Sequence, residues 1–246
     1  MFNKEILLIT LFTGCCIIGN GQKKELPHYN RFVDIAGTIG KDQGSVAGSY
    51  VYNWRLGQNR KFEMGIGARF TSYSGTKKDF ITAPAKLART ATFPFIIVFA
   101  GQQEKNFDTL TVQHPFTNSL NLSANLGYHL SSRLYAGINI DVIGFSFGKK
   151  TNAVFISNGV TVTEPAAKVT PFNLLLTGDN DLGSLNSEFF LKYNLNDQWS
   201  VRGIYQFLFS EYKTTTVKQN APDGTVNDRF RNKVNSFGLG VSYSIK

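Results

Sequence analysis

The chain has 246 residues and a formal net charge of +9, and it contains 23 Gly, 21 Phe and 10 Tyr. This length suits one large domain or two small ones, and the abundance of glycine and aromatic residues favours β-structure over helix. The basic residues occur singly or in pairs with acidic residues between them, which argues against a nucleic-acid-binding groove and suits a phosphate-rich lipid surface.

The N-terminal segment, residues 1–21, has the features of a secretory signal peptide. Lys4 precedes an apolar run over residues 6–18, and the small residues Gly19-Asn20-Gly21 follow it. We therefore expect an exported protein whose residues 22–246 form a single domain.

The two cysteines of the chain, Cys15 and Cys16, both lie within this predicted signal peptide. The exported domain should accordingly have no disulfide and no cysteine metal site. Residues 11–15 also permit an alternative interpretation as a lipoprotein box with lipidation at Cys15, although Phe12 fits that pattern poorly.

No later segment approaches the ~18 consecutive apolar residues that a membrane helix needs, so a membrane would have to be crossed by strands. The longest apolar run, residues 93–100, contains Pro94. Alternating apolar and polar residues predict eight strands. They cover residues 31–40, 45–56, 61–73, 116–130, 134–147, 186–195, 199–212 and 233–245.

The seventh predicted strand shows the alternation most clearly. One face carries apolar residues and glycine, and the other carries polar residues. The first set is Val201, Gly203, Tyr205, Phe207 and Phe209, and the second is Ser200, Arg202, Gln206 and Ser210. One face suits lipid and the other suits water. In the fifth strand the parity breaks over residues 143–147, which predicts a β-bulge.

Aromatic residues stand at both ends of the outward faces, as in the girdles of membrane barrels. The predicted girdle comprises Trp54, Phe70, Tyr128, Tyr193, Trp199 and Phe209. Ten residues separate Trp199 from Phe209, which corresponds to roughly 25 Å for a strand tilted by about 40°. This distance matches the apolar band of an outer-membrane barrel.

The connections between predicted strands differ in length at the two ends. Three turns, at residues 57–60, 131–133 and 196–198, are short, whereas residues 74–115, 148–185 and 213–232 form long loops. The short hairpin at residues 41–44 is the exception at the end of the long loops. In outer-membrane barrels the short turns face the periplasm and the long loops face outward. We therefore expect an all-β, closed, antiparallel up-and-down transmembrane barrel with periplasmic termini and extracellular long loops.

The strand number has one alternative. If residues 93–100 and 110–113 pair as two more membrane strands, the barrel has ten strands rather than eight. In either case pairing of the first and last strands removes edges that hydrocarbon does not tolerate.

Three segments resemble the turn-and-strand style of small bacterial outer-membrane barrels of the OmpX and OmpW type, with a Bacteroidetes character. They are Gly127-Tyr-His-Leu-Ser-Ser-Arg-Leu-Tyr135, Lys192-Tyr-Asn-Leu-Asn-Asp-Gln-Trp199 and Phe237-Gly-Leu-Gly-Val-Ser-Tyr243. The resemblance implies a bacterial outer-membrane location, contact with outer-membrane lipid and lipopolysaccharide, and insertion by the barrel-assembly machinery. It departs at the C-terminus, where many members end in an aromatic residue and this chain ends Tyr243-Ser-Ile-Lys246.

The alternation along the predicted strands places four acidic and four basic residues at inward-facing positions, in the lumen of the barrel. They are Asp34, Glu63, Asp141 and Glu188, and Arg55, Arg69, Lys192 and Arg202. Charges in a narrow barrel must be paired or hydrated, so we expect a structural network that fills the lumen. A gate or narrow polar path is the alternative.

Three short motifs resemble parts of catalytic or metal sites, but their contexts are wrong. Residues 144–148, Gly-Phe-Ser-Phe-Gly, match a nucleophile elbow but lie on a barrel strand without a suitably placed His. His129-Leu130-Ser131 lies at a periplasmic turn, away from outer-leaflet lipid. Residues 179–183 begin like a calcium loop but lack its later ligands. We predict no catalytic residue, no metal site and no cofactor.

Two loop segments, residues 93–100 and 172–176, are unusually apolar. We expect them to pack onto one another or to extend the barrel wall. A hydrophobic-ligand path would instead use Phe95, Ile97, Leu174 and Leu176 as contacts. The predicted function is that of a surface structural or interaction protein, not an enzyme, acting through its outer loops on an extracellular partner. A narrow channel or carrier for small or hydrophobic solutes is the second hypothesis, and a lipid-modifying hydrolase is the third.

Overall fold

The computed structural model of the chain describes residues 27–93 and 99–245. This part is all-β, as the sequence predicts, and its strands pair in antiparallel fashion. None of the helices in it is long and apolar enough to cross a membrane. The predicted signal peptide and Cys15 lie outside the described residues.

Fifteen strands, one short helix and two 3-10 turns make up these residues. The strands are β1 Tyr29–Gly40, β2 Gln43–Leu56, β3 Phe62–Gly75, β4 Lys78–Thr82, β5 Thr109–Val112, β6 Phe116–His129, β7 Leu134–Phe147, β8 Thr151–Ser157, β9 Val160–Val169, β10 Phe172–Leu174, β11 Leu185–Asn194, β12 Trp199–Lys213, β13 Gln219–Asn220, β14 Val226–Asn227 and β15 Arg229–Ile245. The helix is α1 Ala85–Ala88, and the 3-10 turns are Glu104–Asn106 and Gly178–Asn180.

Eight of the long strands pair in an order that returns to its start. The order is β1–β2–β3–β6–β7–β11–β12–β15 and back to β1, and we refer to these strands as the eight-strand cycle. They correspond to the eight predicted strands, and every observed end lies within four residues of the predicted one. Periodicity located these strands because each alternates between two chemically opposite surroundings.

The predicted irregularity in the fifth of these strands is confirmed, one residue earlier than expected. Leu122 of β6 pairs with Ile143 of β7, but the next residue, Ser123, pairs with Asp141. Val142 is therefore left without a partner in β6. An extra residue of this kind reverses the facing of all later residues, which explains the broken parity in the sequence.

Two of the long outer segments contain strands that extend the sheet. β4 and β5 from residues 74–115, and β8 and β9 from residues 148–185, join the outer ends of β12 and β15. Their pairing order is β15–β4–β5–β8–β9–β12 and back to β15. We call this second cycle the outer assembly. β5 overlaps residues 110–113, one of the two segments that the ten-strand alternative would add to the barrel. It pairs with β4 and β8 instead and is not part of the eight-strand cycle.

The outer assembly has an apolar core of its own. Each of the nine core side chains is at most 6% exposed, and the set comprises Phe80, Leu110, Val112, Ala153, Phe155, Ala167, Val169, Tyr212 and Phe230. The rings of Phe80 and Tyr212 lie 5.0 Å apart, and those of Phe155 and Phe230 lie 5.7 Å apart. These contacts give the outer assembly a packed interior.

The eight-strand cycle reverses the usual arrangement of polar and apolar residues. In β6, Asn121, Ser123 and Asn125 are buried, whereas the alternating leucines are exposed. The exposed fraction reaches 79% for Ile39 and 75% for Leu239. A continuous exposed apolar surface of this kind marks a site of contact with a membrane or with another protein.

Replacing Phe80 by Ala should loosen the outer assembly while leaving the eight-strand cycle folded. Removal of a buried Phe side chain costs ~3–5 kcal/mol, and here the loss falls on the apolar core of the outer assembly. Limited proteolysis should then cut within residues 77–113 while the other strands stay protected. Phe99→Ala is the matched control, since Phe99 is 90% exposed. Equal resistance of the two variants would contradict an independent core.

Candidate functional site

The interior of the eight-strand cycle contains a carboxylate cluster at the end that bears the short turns. Glu63 on β3 is fully buried and accepts hydrogen bonds from Arg55 Nε at 2.8 Å and from the Tyr135 hydroxyl at 3.1 Å. His129 Nε2 lies 2.7 Å from the same carboxylate, and Asn30 and Asn53 donate their amide N–H groups to it. Several donors thus satisfy one buried charge, as burial requires.

A second cluster crosses the interior further from the turns. Arg69 contacts Asp141 at 2.8 Å and Glu188 at 3.0 Å. Glu188 also contacts Arg202, which in turn contacts Asp34 at 2.6 Å. The order of contacts is therefore Asp141–Arg69–Glu188–Arg202–Asp34, and we call these five residues the lumen network. Each of them is at most 4% exposed.

Lys192 lies between the two clusters. Its Nζ is 3.7 Å from the centre of the Phe32 ring and 4.7 Å from the centre of the Tyr135 ring. Aromatic faces attract cations, so these rings compensate part of the cost of burying the ammonium group. The structure thus places all eight predicted lumen residues on the inner face, with Lys192 against rings rather than in an ion pair.

Two glycines make room for the aromatic side chains that cross the interior. Gly127 and Gly137 are directly opposite one another in β6 and β7. A Cβ atom on Gly127 would lie 1.7 Å from the Tyr135 hydroxyl, and one on Gly137 would lie 2.4 Å from the Phe190 ring. Any larger residue at either position would displace these rings. The narrow interior is therefore filled by aromatic side chains as well as by charges.

Apolar side chains continue the filling towards the outer assembly. Tyr73, Leu208 and Val234 form a buried cluster above the lumen network. Beyond them lies the apolar core of the outer assembly, to which Tyr212 and Phe230 of β12 and β15 belong. Packed side chains therefore occupy the interior along these two strands.

The predicted aromatic girdle is largely on the outer face. Five of its six members are between 43% and 47% exposed, namely Trp54, Phe70, Tyr128, Tyr193 and Trp199. Phe209 differs from the prediction, because it is only 5% exposed. The Arg231 guanidinium lies over its ring at 4.6 Å, and residues near the 3-10 turn Gly178–Asn180 bind the neighbouring side chains of β15. The alternation in β12 correctly predicted the face of the sheet on which Phe209 lies, but it could not predict that another side chain covers the ring.

The predicted hydrophobic-ligand contacts are not brought together in the described residues. Phe95 and Ile97 lie outside them. Leu174 ends β10, which pairs with β7 and extends the wall, and Leu176 is 48% exposed. The apolar segment 172–176 therefore extends the sheet, as one of the two sequence-based expectations had it.

The chemical motifs have other roles in the structure. The Ser146 hydroxyl donates to Asn173 Oδ1 at 2.9 Å, whereas His129 contacts Glu63 at the opposite end. The Asp181 carboxylate accepts the Leu176 backbone N–H, while Asp179 binds Arg89 and Lys233. In the described ranges no group of three His, Cys, Asp or Glu residues could hold a metal ion.

A third charged cluster lies on the outer face of β12 and β15. Glu211 is fully buried and receives two hydrogen bonds from Arg229, at 2.8 and 2.9 Å, and one from Arg231 at 2.9 Å. Beside it, burial disfavours the charged form of Asp179, but hydrogen bonds from Lys233 and Arg89 outweigh this and lower its pKa. These contacts fix the segment around Gly178–Asn180 to the wall.

Glu164 on β9 holds the chain that follows β12. Its fully buried carboxylate accepts backbone N–H groups of Ala166, Thr215, Thr216 and Val217 at 2.9–3.1 Å, and the hydroxyls of both threonines. Burial disfavours its charged form, but these hydrogen bonds prevail and lower its pKa to about 2. One carboxylate thus joins two of the three long outer segments.

Sequence reasoning missed several of these partners. His129 and Tyr135 occupy inward-facing positions of β6 and β7, so following the alternation to the ends of these strands would have found them. The partners of Glu164 and Glu211 carry no such periodic signal. They lie in other outer segments, and only the fold brings them together.

Comparison with known proteins gives structural similarity alone. No family model and no curated protein matches the chain. Among solved structures it is similar to Ail, the attachment invasion locus protein of Yersinia pestis, with 10% identity and a TM-score of 0.38 over 89% of this chain and 100% of that one. It is also similar to Neisserial surface protein A, with 9% identity and a TM-score of 0.37 over 89% and 98%.

A third similar structure is a major outer membrane protein of Thermus thermophilus, with 12% identity and a TM-score of 0.39 over 88% of this chain and 99% of that one. None of these three similarities separates the OmpX type from the OmpW type. They define no residue correspondence, so no residue role is taken from them.

Replacing Glu188 by Gln should destabilise the eight-strand cycle strongly. Both arginines of the lumen network lose one charged partner, and breaking a buried ion pair costs ~3–5 kcal/mol. Urea unfolding in lipid vesicles, followed by the fluorescence of Trp54 and Trp199, measures the change. Asp223→Asn is the matched control, because Asp223 and its partner Lys86 are exposed. Equal unfolding midpoints for the two variants would contradict the structural role of the network.

Replacing Glu164 by Gln should release residues 215–217 without unfolding the chain. Stabilisation by Glu164 is complete above the ordinary pKa of 4.5 and is lost as the pH falls towards its folded value of about 2. Hydrogen exchange, corrected for the intrinsic rate, should show protection of these amides falling between those values in the wild type. In the variant protection should be low and independent of pH over this range. A wild-type profile flat from pH 5 to 2 would refute the role of Glu164.

Proposed function

We propose that the chain is an integral outer-membrane β-barrel whose membrane wall is the eight-strand cycle. Closure of the cycle supports this, because every strand has neighbours on both sides and no backbone edge would meet lipid. The apolar outer face supports it as well. On β6, the exposed rings of Phe116 and Tyr128 lie twelve positions apart in the sequence. This corresponds to about 30 Å at a tilt near 40°, which is enough to span the roughly 25 Å apolar band of an outer-membrane barrel.

The same proposal orients the molecule. The three short turns and both termini face the periplasm, and the outer assembly projects from the cell surface. The unequal lengths of the connections at the two ends support this orientation. The outer-leaflet glycolipid and the barrel-assembly machinery are then the partners that any such protein meets.

Within this orientation, the protein acts as a surface interaction protein that presents the outer assembly to an extracellular partner. The observation that carries this proposal is the filled interior. Charged, aromatic and apolar side chains follow one another along β12 from Arg202 to Tyr212, and the outer assembly closes above them. A filled barrel anchors the protein in the membrane, and the outer assembly is then the part that can bind a partner.

A channel or hydrophobic carrier receives less support. A path through the interior would have to displace the lumen network and two apolar clusters. A lipid hydrolase needs a serine beside a general base, and Ser146 donates instead to an amide oxygen. We therefore propose a non-enzymatic role without a cofactor.

Conductance across planar bilayers tests the filled interior directly. Folded protein should give no steady conductance, and Arg202→Ala should give none either, because the apolar clusters still block the interior. A heat-modifiability gel of the same sample shows that the barrel is folded. Steady conductance steps whose size changes on Arg202→Ala would contradict the proposal and favour the channel.

A further inference from the structure

Basic side chains lie side by side on the exposed face of the outer assembly. Lys168 of β9 is directly opposite Lys213 of β12, and Lys213 is directly opposite Arg229 of β15. Lys150 precedes Thr151, the partner of Ala167, and therefore stands beside Lys168 at the end of β8. Lys149 adjoins it, and both are exposed. We call Lys149, Lys150, Lys168 and Lys213 the basic row.

The nearby carboxylates do not neutralise the basic row. Glu211 is occupied by Arg229 and Arg231, and Glu164 is occupied by backbone N–H groups and hydroxyls. Within residues 27–93 and 99–245, the ammonium groups of the row have no hydrogen bond or ion pair. Like charges directly opposite one another destabilise a sheet. The arrangement therefore has a cost that an anion from outside would remove.

The row stands immediately above a group of exposed aromatic rings. Phe145 and Phe147 of β7 and Phe172 of β10 are between 48% and 51% exposed, and Phe145 and Phe172 are partners in the sheet. Lys149 follows Phe147 by two residues. Exposed aromatics mark the interface of a bilayer, so the basic row lies at the level of lipid headgroups.

We propose that the basic row binds the phosphate groups of an outer-leaflet glycolipid whose acyl chains lie against Phe145, Phe147 and Phe172. The inference rests on the proposed membrane orientation and adds a specific lipid site to it. Charge complementarity carries it, since the ammonium groups of the row, which have no acidic partner among the described residues, lie where phosphates are concentrated. The bound lipid would cancel the repulsion within the row and tie the outer assembly to the membrane surface.

The test uses the folded protein in nanodiscs of phosphatidylcholine, with or without diphosphorylated lipid A. Thermal unfolding is followed by the gel shift of the folded barrel. The variant is Lys168→Gln with Lys213→Gln, and the matched control is Lys41→Gln with Lys105→Gln, two exposed lysines of the same end outside the row. Lipid A should raise the unfolding temperature of the wild type and the control alike. In the Lys168 and Lys213 variant the rise should be at most half as large.

The double substitution should have the opposite effect on the unfolding temperature when lipid A is absent. In phosphatidylcholine alone the Lys168 and Lys213 variant should unfold at a higher temperature than the wild type, because repulsion within the row is relieved. A full lipid A shift in this variant would overturn the inference. An equal shift with dephosphorylated lipid A, with inorganic phosphate or with a soluble polyanion would also overturn it. Failure of the chain to insert into nanodiscs would instead overturn the proposed membrane role.

Discussion

The constraint on which the rest of the structure depends is complete pairing of the strand backbones. A strand edge exposed to hydrocarbon would leave N–H and C=O groups without partners, and each such group costs several kcal/mol. The pairing of β1 with β15 returns the eight-strand cycle to its start. Because the wall closes, its two faces meet different surroundings, and the apolar-out, polar-in alternation of each strand follows.

Closure with few strands also leaves little room inside. The facing glycines Gly127 and Gly137 leave space for the rings of Tyr135 and Phe190. Glu188 pairs with both Arg69 and Arg202. Each of the eight predicted charges inside the eight-strand cycle is balanced by a neighbour of opposite sign or, for Lys192, by aromatic faces. The interior is therefore a packed core of charged, polar, aromatic and apolar side chains. It stiffens the wall, and in the proposed role it leaves recognition to the outer assembly.

The sequence predicted the wall well and the outer assembly poorly, for a physical reason. Each residue of a strand such as β12 faces either the exposed outer surface or the interior according to its position in the alternation, so its surroundings can be predicted from the local sequence. In the outer assembly, the cover over Phe209 and the partners of Glu164 come from segments distant in the chain. No local pattern specifies those contacts. The lumen charges were predictable as a set, but their pairing was not.

The most direct test of this account is an accessibility scan of spin labels along β12, from Val201 to Tyr212. The cysteines of the chain both fall in the predicted signal peptide, so single labels can be introduced. Oxygen, which concentrates in lipid, should reach labels at 201, 203, 205 and 207, and neither oxygen nor a water-soluble nickel complex should reach labels at 202, 204, 206 and 208. Ready access of the nickel complex to that second set would contradict a filled barrel in a membrane.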